Sequence, residues 1–300
     1  MNGFLLVDKP AGCSSFDVVW AIRRTLPRKT KVGHAGTLDP FATGLLIVLV
    51  GSATRLMPWV VGHDKRYDLT VQFGARSTTD DLEGDIEQVT DGFPAHDAVE
   101  AAVAGIRAQT EQVPPAVSAI HVDGERAYRR VRRGETIDVP ARPVRFAAID
   151  VVAYDQQAGT LRLDVRSSTG TYMRSVARDL GDALGVGGYA SVLVRREVGE
   201  WSLDDAVPLA TLRESEFEPG RLRPLDELVC DHPVVTLDER DVVSFSHGQR
   251  VGVSGGAAGD VVGVLGPSGT LVGMAELQER DDTMVLKPSA VFVRPPEPVR

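Results

Sequence analysis

The sequence predicts an α+β fold: a large domain on a mixed, largely antiparallel sheet, followed by a small, mostly β C-terminal domain. Three observations carry this. Along Tyr67–Phe73 apolar and polar residues alternate, the period of a half-buried strand. Leu45–Val50 is a continuous apolar run of strand length, as expected of a buried central strand. Helical stretches fall irregularly among such runs, which disfavours a doubly wound sheet.

Taken in order, Phe4–Val7 reads as a short strand. Ser14 or Ser15 is placed to cap a helix running to about Leu26, with Phe16, Val19, Trp20, Ile22 and Leu26 as its apolar positions. Asp97–Arg107 reads as a second helix. Ser118–Val122 reads as a strand turned at Asp123-Gly124, before a basic helix that stops at Gly134. Val144–Tyr154 and Leu161–Ser167 read as two strands joined near Ala158-Gly159. Thr171–Leu184 is a well-marked helix, with Val176, Leu180 and Leu184 at helical spacing and Gly185 just past its end. A boundary is expected between Leu209 and His232, in a stretch rich in Glu, Pro and Arg, giving domains 1–228 and 229–300. Beyond it, Leu237–Phe245 reads as a short helix, and Val261–Leu265, Leu271–Glu276 and Met284–Leu286 as strands.

Composition narrows the function classes. The chain is 43% apolar, ample for a core, yet no run approaches 18 consecutive apolar residues, so no membrane span is expected. The first residues lack a basic stretch followed by a full apolar segment, so no secretory signal is expected and the cytoplasm is the predicted compartment. Cys13 and Cys230 form neither a metal spacing nor a disulfide framework, consistent with a reducing compartment. No phosphate-binding GxxxxGK[ST] loop, CxxC pair or HExxH is present.

Net charge is −9, which taken alone argues against a nucleic-acid partner. Its distribution removes the objection: residues 201–300 hold 17 acidic and 9 basic side chains, leaving the first 200 residues nearly balanced. Arg23, Arg24, Arg28, Lys29 and Lys31 form one basic run. Arg126, Arg129, Arg130, Arg132 and Arg133 form another, joined by Arg142 and Arg145. Either run is also compatible with a solvated helix face. A binding surface needs only a local field.

The densest chemistry lies in Gly33–Gly44, GHAGTLDPFATG, which runs directly into the apolar strand at Leu45. Its glycines allow close backbone approach to a ligand, and Pro40 biases Asp39 toward extended geometry. A carboxylate held rigidly at a strand edge is one reading; a turn with an Asp-Pro breaker is the other. The acidic stretch Asp80-Asp81-Leu82-Glu83-Gly84-Asp85 lacks the full spacing of a calcium loop.

GHAGTLDPFATGLL resembles the catalytic motif of TruB-type pseudouridine synthases, close to GHxGxLDPxAxGxL. Further segments of that family follow in order: Asp8-Lys9-Pro10-Ala11-Gly12 with Ser14-Ser15, Lys65-Arg66-Tyr67, and Gln112-Val113-Pro114-Pro115 leading to Ser118-Ala119. Then come Gly124-Glu125-Arg126-Ala127-Tyr128, Gly170-Thr171-Tyr172-Met173-Arg174 and Leu193-Val194-Arg195-Arg196. The resemblance spans residues 1 to about 200. It implies the pseudouridine synthase fold and, for residues 235–293, a divergent PUA-like module whose acidity is unhelpful for gripping phosphate.

By the same resemblance, the reaction is isomerisation of uridine to pseudouridine at position 55 in the T-loop of transfer RNA. Asp39 is implied as nucleophile, Arg174 as its guanidinium partner and Tyr67 as the ring that stacks on the flipped base. His34 is implied as a contact to the displaced nucleotide, Leu193 as an apolar wall, and Tyr172 and Asp81 as supports. Lys9, Lys31, Arg129, Arg130, Arg132 and Arg133 are the expected RNA contacts. No cofactor, metal or obligate protein partner is implied, and a monomer acting on the tRNA T-arm is expected. The alternatives are a guide-RNA-dependent enzyme acting on ribosomal RNA, a non-catalytic tRNA-folding protein, and a metal-dependent hydrolase using the acidic stretch.

Overall fold

The structure is a computed structural model. It describes residues 1–293 except 119, 123–124, 127–129, 131–132, 134, 136 and 215–217. The expected basic helix and its Asp123-Gly124 turn fall largely outside the described residues, as do Arg129 and Arg132.

The large domain is organised by a nine-stranded sheet. Its principal strands are β1 (Gly3–Lys9), β2 (Val32–Ala35), β3 (Thr43–Val50), β4 (Lys65–Phe73), β5 (Phe146–Asp155), β6 (Thr160–Ser167), β7 (Gly188–Val198) and β8 (Val207–Pro208). They lie in the order β5-β6-β4-β7-β3-β1-β8, with β2 added against β3. The β7–β3 and β1–β8 pairs are parallel and the other principal pairs antiparallel. Leu45–Val50 is buried along its whole length, as its composition demands, and β4 alternates strictly between buried and half-buried positions. The sequence pattern does not predict strand β7. Its run Val194-Arg195-Arg196-Glu197 reads as polar, yet Arg195 is buried in the centre of the sheet.

Three helices cover the sheet. Helix α1 (Ser15–Thr25) begins at a reciprocal capping box between Ser14 and Asp17, which decides between the two candidate serines. It packs Val18, Val19 and Ile22 onto β1 and β3. Helices α2 (His96–Arg107) and α3 (Met173–Ala183) pack Val99, Val103, Val176 and Leu180 against β4, β5 and β6. No described helix is long and apolar enough to cross a membrane.

The C-terminal residues form a second, five-stranded sheet from β9 (Val234–Thr236), β10 (Val251–Val253), β11 (Val261–Leu265), β12 (Leu271–Arg280) and β13 (Thr283–Val291). Glu239–Ser246 supplies its helix. This sheet does not hang on a bare linker. Leu271, Met274 and Ala290 share a buried cluster with Phe4, Leu6, Leu45, Ile47 and Leu49 of the large sheet. Ending the chain at Leu228 would return those residues to water, at about 25 cal/mol per Å² of apolar surface. The expected result is a protein that keeps every residue of the site described below but melts earlier and aggregates; a thermal melt equal to that of the full chain would refute the shared core.

Candidate active site

Strand β3 has two partners along one edge. Thr43 and Gly44 pair with Val194 and Arg195 of β7, whereas Ile47–Val50 pair with β2. The segment joining β2 to β3, residues 36–42, therefore emerges where β2 and β7 diverge. Gly44 makes that divergence possible: its φ is +101°, and a Cβ there would lie 2.4 Å from the Arg195 carbonyl oxygen. Asp39 sits in this segment.

Five charged residues are buried among the described residues: Lys9, Lys65, Asp81, Arg174 and Arg195. All five surround Asp39. Charged groups are rarely buried without partners, so their convergence marks this place as the candidate site. Here lies a cavity of about 280 Å³, lined by Gly36–Asp39, Lys65, Tyr67, Ser118, Thr169–Arg174, Leu193 and Arg195 among others. A larger cavity of about 730 Å³ lies elsewhere, against exposed cations.

Arg174 is the hub. One of its terminal nitrogens donates to Asp39 Oδ1 at 3.2 Å, and its Nε makes an ion-pair contact with Asp39 Oδ2 at 3.0 Å. The other terminal nitrogen donates to the Thr79 carbonyl at 2.8 Å and lies 3.3 Å from Asp81 Oδ2. The Val117 carbonyl accepts a further bond at 3.0 Å. Asp81 is itself buried. It accepts from the Thr79 hydroxyl at 2.5 Å and the Glu83 amide at 3.0 Å, and it is a second buried carboxylate on one guanidinium. Arg178 pairs with Asp80 at 3.0 Å and steadies the same turn.

This sharing sets the electrostatics of Asp39. Burial pushes its carboxyl above the usual range; Arg174 opposes the shift and Asp81 adds to it. The carboxylate is accordingly basic for an aspartate while still oriented by charge-assisted contacts. Asp81→Asn removes the like charge, so Asp39 should ionise at lower pH. The acid limb of the single-turnover rate should move down relative to wild type; a limb that stays in place would mean that Asp81 acts on structure alone.

The other expected site residues are distributed unevenly. Tyr67 lines the cavity, where burial raises its phenol and the Arg195 guanidinium, hydrogen-bonded to it, pulls the other way. Leu193 lines the same cavity, one strand away. Tyr172 caps α3, and its backbone is clasped by Gln112 through bonds of 2.9 and 3.2 Å. His34 stands on β2, outside the cavity lining, and burial followed by Arg195 favours its neutral imidazole.

The four described candidates for RNA contact sit in different surroundings. Lys9 is fully buried: its Nζ donates to the carbonyls of Pro10, Cys13 and Pro40, so it braces the Asp39-Pro40 corner from behind and is not presented to RNA. Arg130 and Arg133 are engaged by glutamates, Arg130 with Glu135 at 2.8 Å and Arg133 with Glu125 at 2.7 Å. Their charge is locally neutralised, which the sequence concealed because the glutamates are interleaved in the same short segment. Lys31 is exposed and lines the larger cavity rather than the one beside Asp39.

Arg195 and Lys65, for which the sequence predicts no role, are buried in the same cavity wall. Arg195 donates to the carbonyls of Gly36, Thr37 and Leu45, tying the segment that carries Asp39 to β7. Burial and then Arg195 bring the Lys65 ammonium down to about 8. The available signal was the alternation of Leu193 with Arg195, which places both on one face of a strand.

The profile of the TruB family pseudouridylate synthase N-terminal domain matches residues 23–173. The chain belongs to the TruB family of pseudouridine synthases. The TruB C-terminal domain profile matches residues 233–291. The tRNA pseudouridine synthase B of Leifsonia xyli subsp. xyli is 42% identical over 93% of this chain and 94% of its own length. The protein of the same name from Corynebacterium efficiens is 44% identical over 92% of each chain. One from Mycobacterium sp. (strain KMS) is 39% identical over 97% of this chain and 98% of its own. Among solved structures, one titled as a Cbf5-Nop10-Gar1 complex superposes with a TM-score of 0.74 at 22% identity, covering 97% of this chain and 85% of the other. That likeness shows the pseudouridine synthase fold. The TruB segments thus converge here: GHAGTLDP supplies Asp39, GTYMR supplies Arg174, and KRY supplies Tyr67.

Proposed function

We propose that this chain isomerises uridine to pseudouridine at position 55 in the T-loop of tRNA, in the cytoplasm, as a stand-alone monomer with Asp39 as its nucleophile. The observation that carries the reading is the carboxylate of Asp39, held by Arg174 on the floor of a cavity walled by Tyr67 and Leu193. Family membership and the name shared by the curated relatives support tRNA as the substrate.

A uridine in a folded loop must leave its stack to reach such a cavity. Tyr67 then stacks on the extruded uracil, Leu193 closes the apolar side, and Asp39 acts where the glycosidic bond breaks. Arg174 keeps the carboxylate ionised and aimed. Tyr67, protonated at neutral pH, is placed to exchange a proton at C5 of the rotated base. Residues 1–228 carry the chemistry, and the PUA-like module from 229 onward supports it.

The test uses purified protein, no guide RNA, a chelator and an unmodified tRNA transcript, with pseudouridine mapped by carbodiimide and primer extension. One new stop, at the T-loop uridine, is expected. Modification that requires an added guide RNA, or that stops on chelation, would overturn the reading.

A further inference from the structure

The larger cavity, about 730 Å³, opens between the catalytic sheet and the C-terminal module. Its catalytic-side wall carries Arg28, Lys29, Lys31 and Arg55, and no Asp or Glu lines it among the described residues. In a chain of net charge −9 this is a concentrated positive field. Most of the other described arginines are spent on carboxylates, as in the pairs Arg66–Asp164, Arg145–Asp64 and Arg196–Asp68. Arg28, Lys29 and Lys31 are exposed and form no described ion pair.

The wall is also held in shape. The Gly51 amide donates to the Lys31 carbonyl at 2.8 Å, and the Thr30 hydroxyl to the Pro27 carbonyl at 2.7 Å. Arg55 donates to the Val291 carbonyl at 2.6 Å, fastening the C-terminal module to this edge. Lys29 itself stands at φ +71°, a conformation costly for any residue but glycine, so a charged side chain is kept where glycine would be cheaper. The module's own contribution is Ser246 and Val291–Val293, which carry no charge.

We propose that this cleft is a second RNA-binding site, taking backbone phosphates of the substrate beyond the nucleotide being modified. The inference rests on RNA being the substrate. Strand β2 links the two places: Lys31 precedes it and Gly36 follows it, roughly 16 Å apart at about 3.3 Å per residue. A single RNA arm spans that distance within a few nucleotides. The acidic C-terminal module then needs no cations of its own. It supplies the uncharged wall that closes the cleft, while the catalytic domain supplies the charge.

The test measures binding of an unmodified T-arm transcript, in the Asp39→Asn background so that no turnover intervenes. Arg28→Gln, Lys29→Gln and Lys31→Gln are combined, and compared with Arg162→Gln, Arg240→Gln and Arg280→Gln, which remove equal charge elsewhere. The first set should weaken binding roughly tenfold and flatten the slope of log affinity against log salt by about 2 to 3, near 0.7–0.9 per lost phosphate contact. The second should stay within about twofold of the parent, as surface charges remote from bound phosphate do. Equal losses in both sets, or none in either, would overturn the proposal. So would tripolyphosphate binding lost in the first set while RNA affinity holds, which would assign the cleft to a small anion. A wild-type protein that makes no pseudouridine would sink the catalytic reading and leave this binding result standing.

Discussion

Asp39→Asn should abolish pseudouridine formation, with a loss of roughly 10⁴-fold or more in the single-turnover rate, the scale expected when a nucleophile is removed. The amide fills the same space beside Arg174 but has no charge to place on the reacting sugar or base. Stability should move the other way. Burial, opposed by Arg174 and reinforced by Asp81, raises the carboxyl in the folded protein. A raised carboxyl means the folded state binds more protons than the unfolded one, so wild-type stability declines as pH rises from about 3.8 through the raised value. Asparagine removes that penalty. Asp39→Asn should therefore be at least as stable as wild type at neutral pH, with the difference vanishing in acid. A variant that is inactive because it is unfolded would show the reverse, and a variant with wild-type rate would end the nucleophile assignment.

Arg174→Met should have the second large effect, and on both fold and rate. It leaves Asp39 and Asp81 without their shared cation and strips the Thr79 and Val117 carbonyls of their donor. Breaking a buried pair from one side costs about 3–5 kcal/mol. The rate should fall a further 10²–10³-fold, roughly the scale of losing one preorganised charge partner. Asp39 would then titrate higher still, so the deficit relative to wild type should shrink as pH falls and it protonates. Urea unfolding at pH 5 and pH 8 checks the sign: a deficit that grows in acid would mean that Arg174 does not hold these carboxylates. Arg174→Lys keeps the charge but loses the two-pronged contact, and should fall between.

The two variants together separate the contributions of chemistry and scaffold. Asp39 lies at a strand divergence with little packing of its own, so it can be neutralised without loss of fold. Arg174 is an internal strut that joins the catalytic segment, the Thr79–Asp81 turn and helix α3. Its partners come from positions 39, 79, 81 and 117.

Much of this was legible in the sequence, wherever the governing interaction is local. The capped start of α1, the buried run of β3 and the alternation of β4 follow from periods and caps that a few neighbouring residues define. The ordered TruB segments identified Asp39, Tyr67 and Arg174 before any coordinate placed them in one cavity. What only the tertiary structure decided is how the charges are shared. Lys9 reads as an exposed cation because its sequence neighbours are Asp8 and Pro10; it is buried because Pro40, 31 residues away, supplies a carbonyl. Strand β7 hides because Arg195 breaks its apolar pattern, and that break is tolerated only where carbonyls from residues 36, 37 and 45 meet the guanidinium. A local pattern reports what a segment prefers in water. Whether a charge is solvated, paired or buried depends on groups brought from far along the chain, and that closure of distance is the work of the sheet.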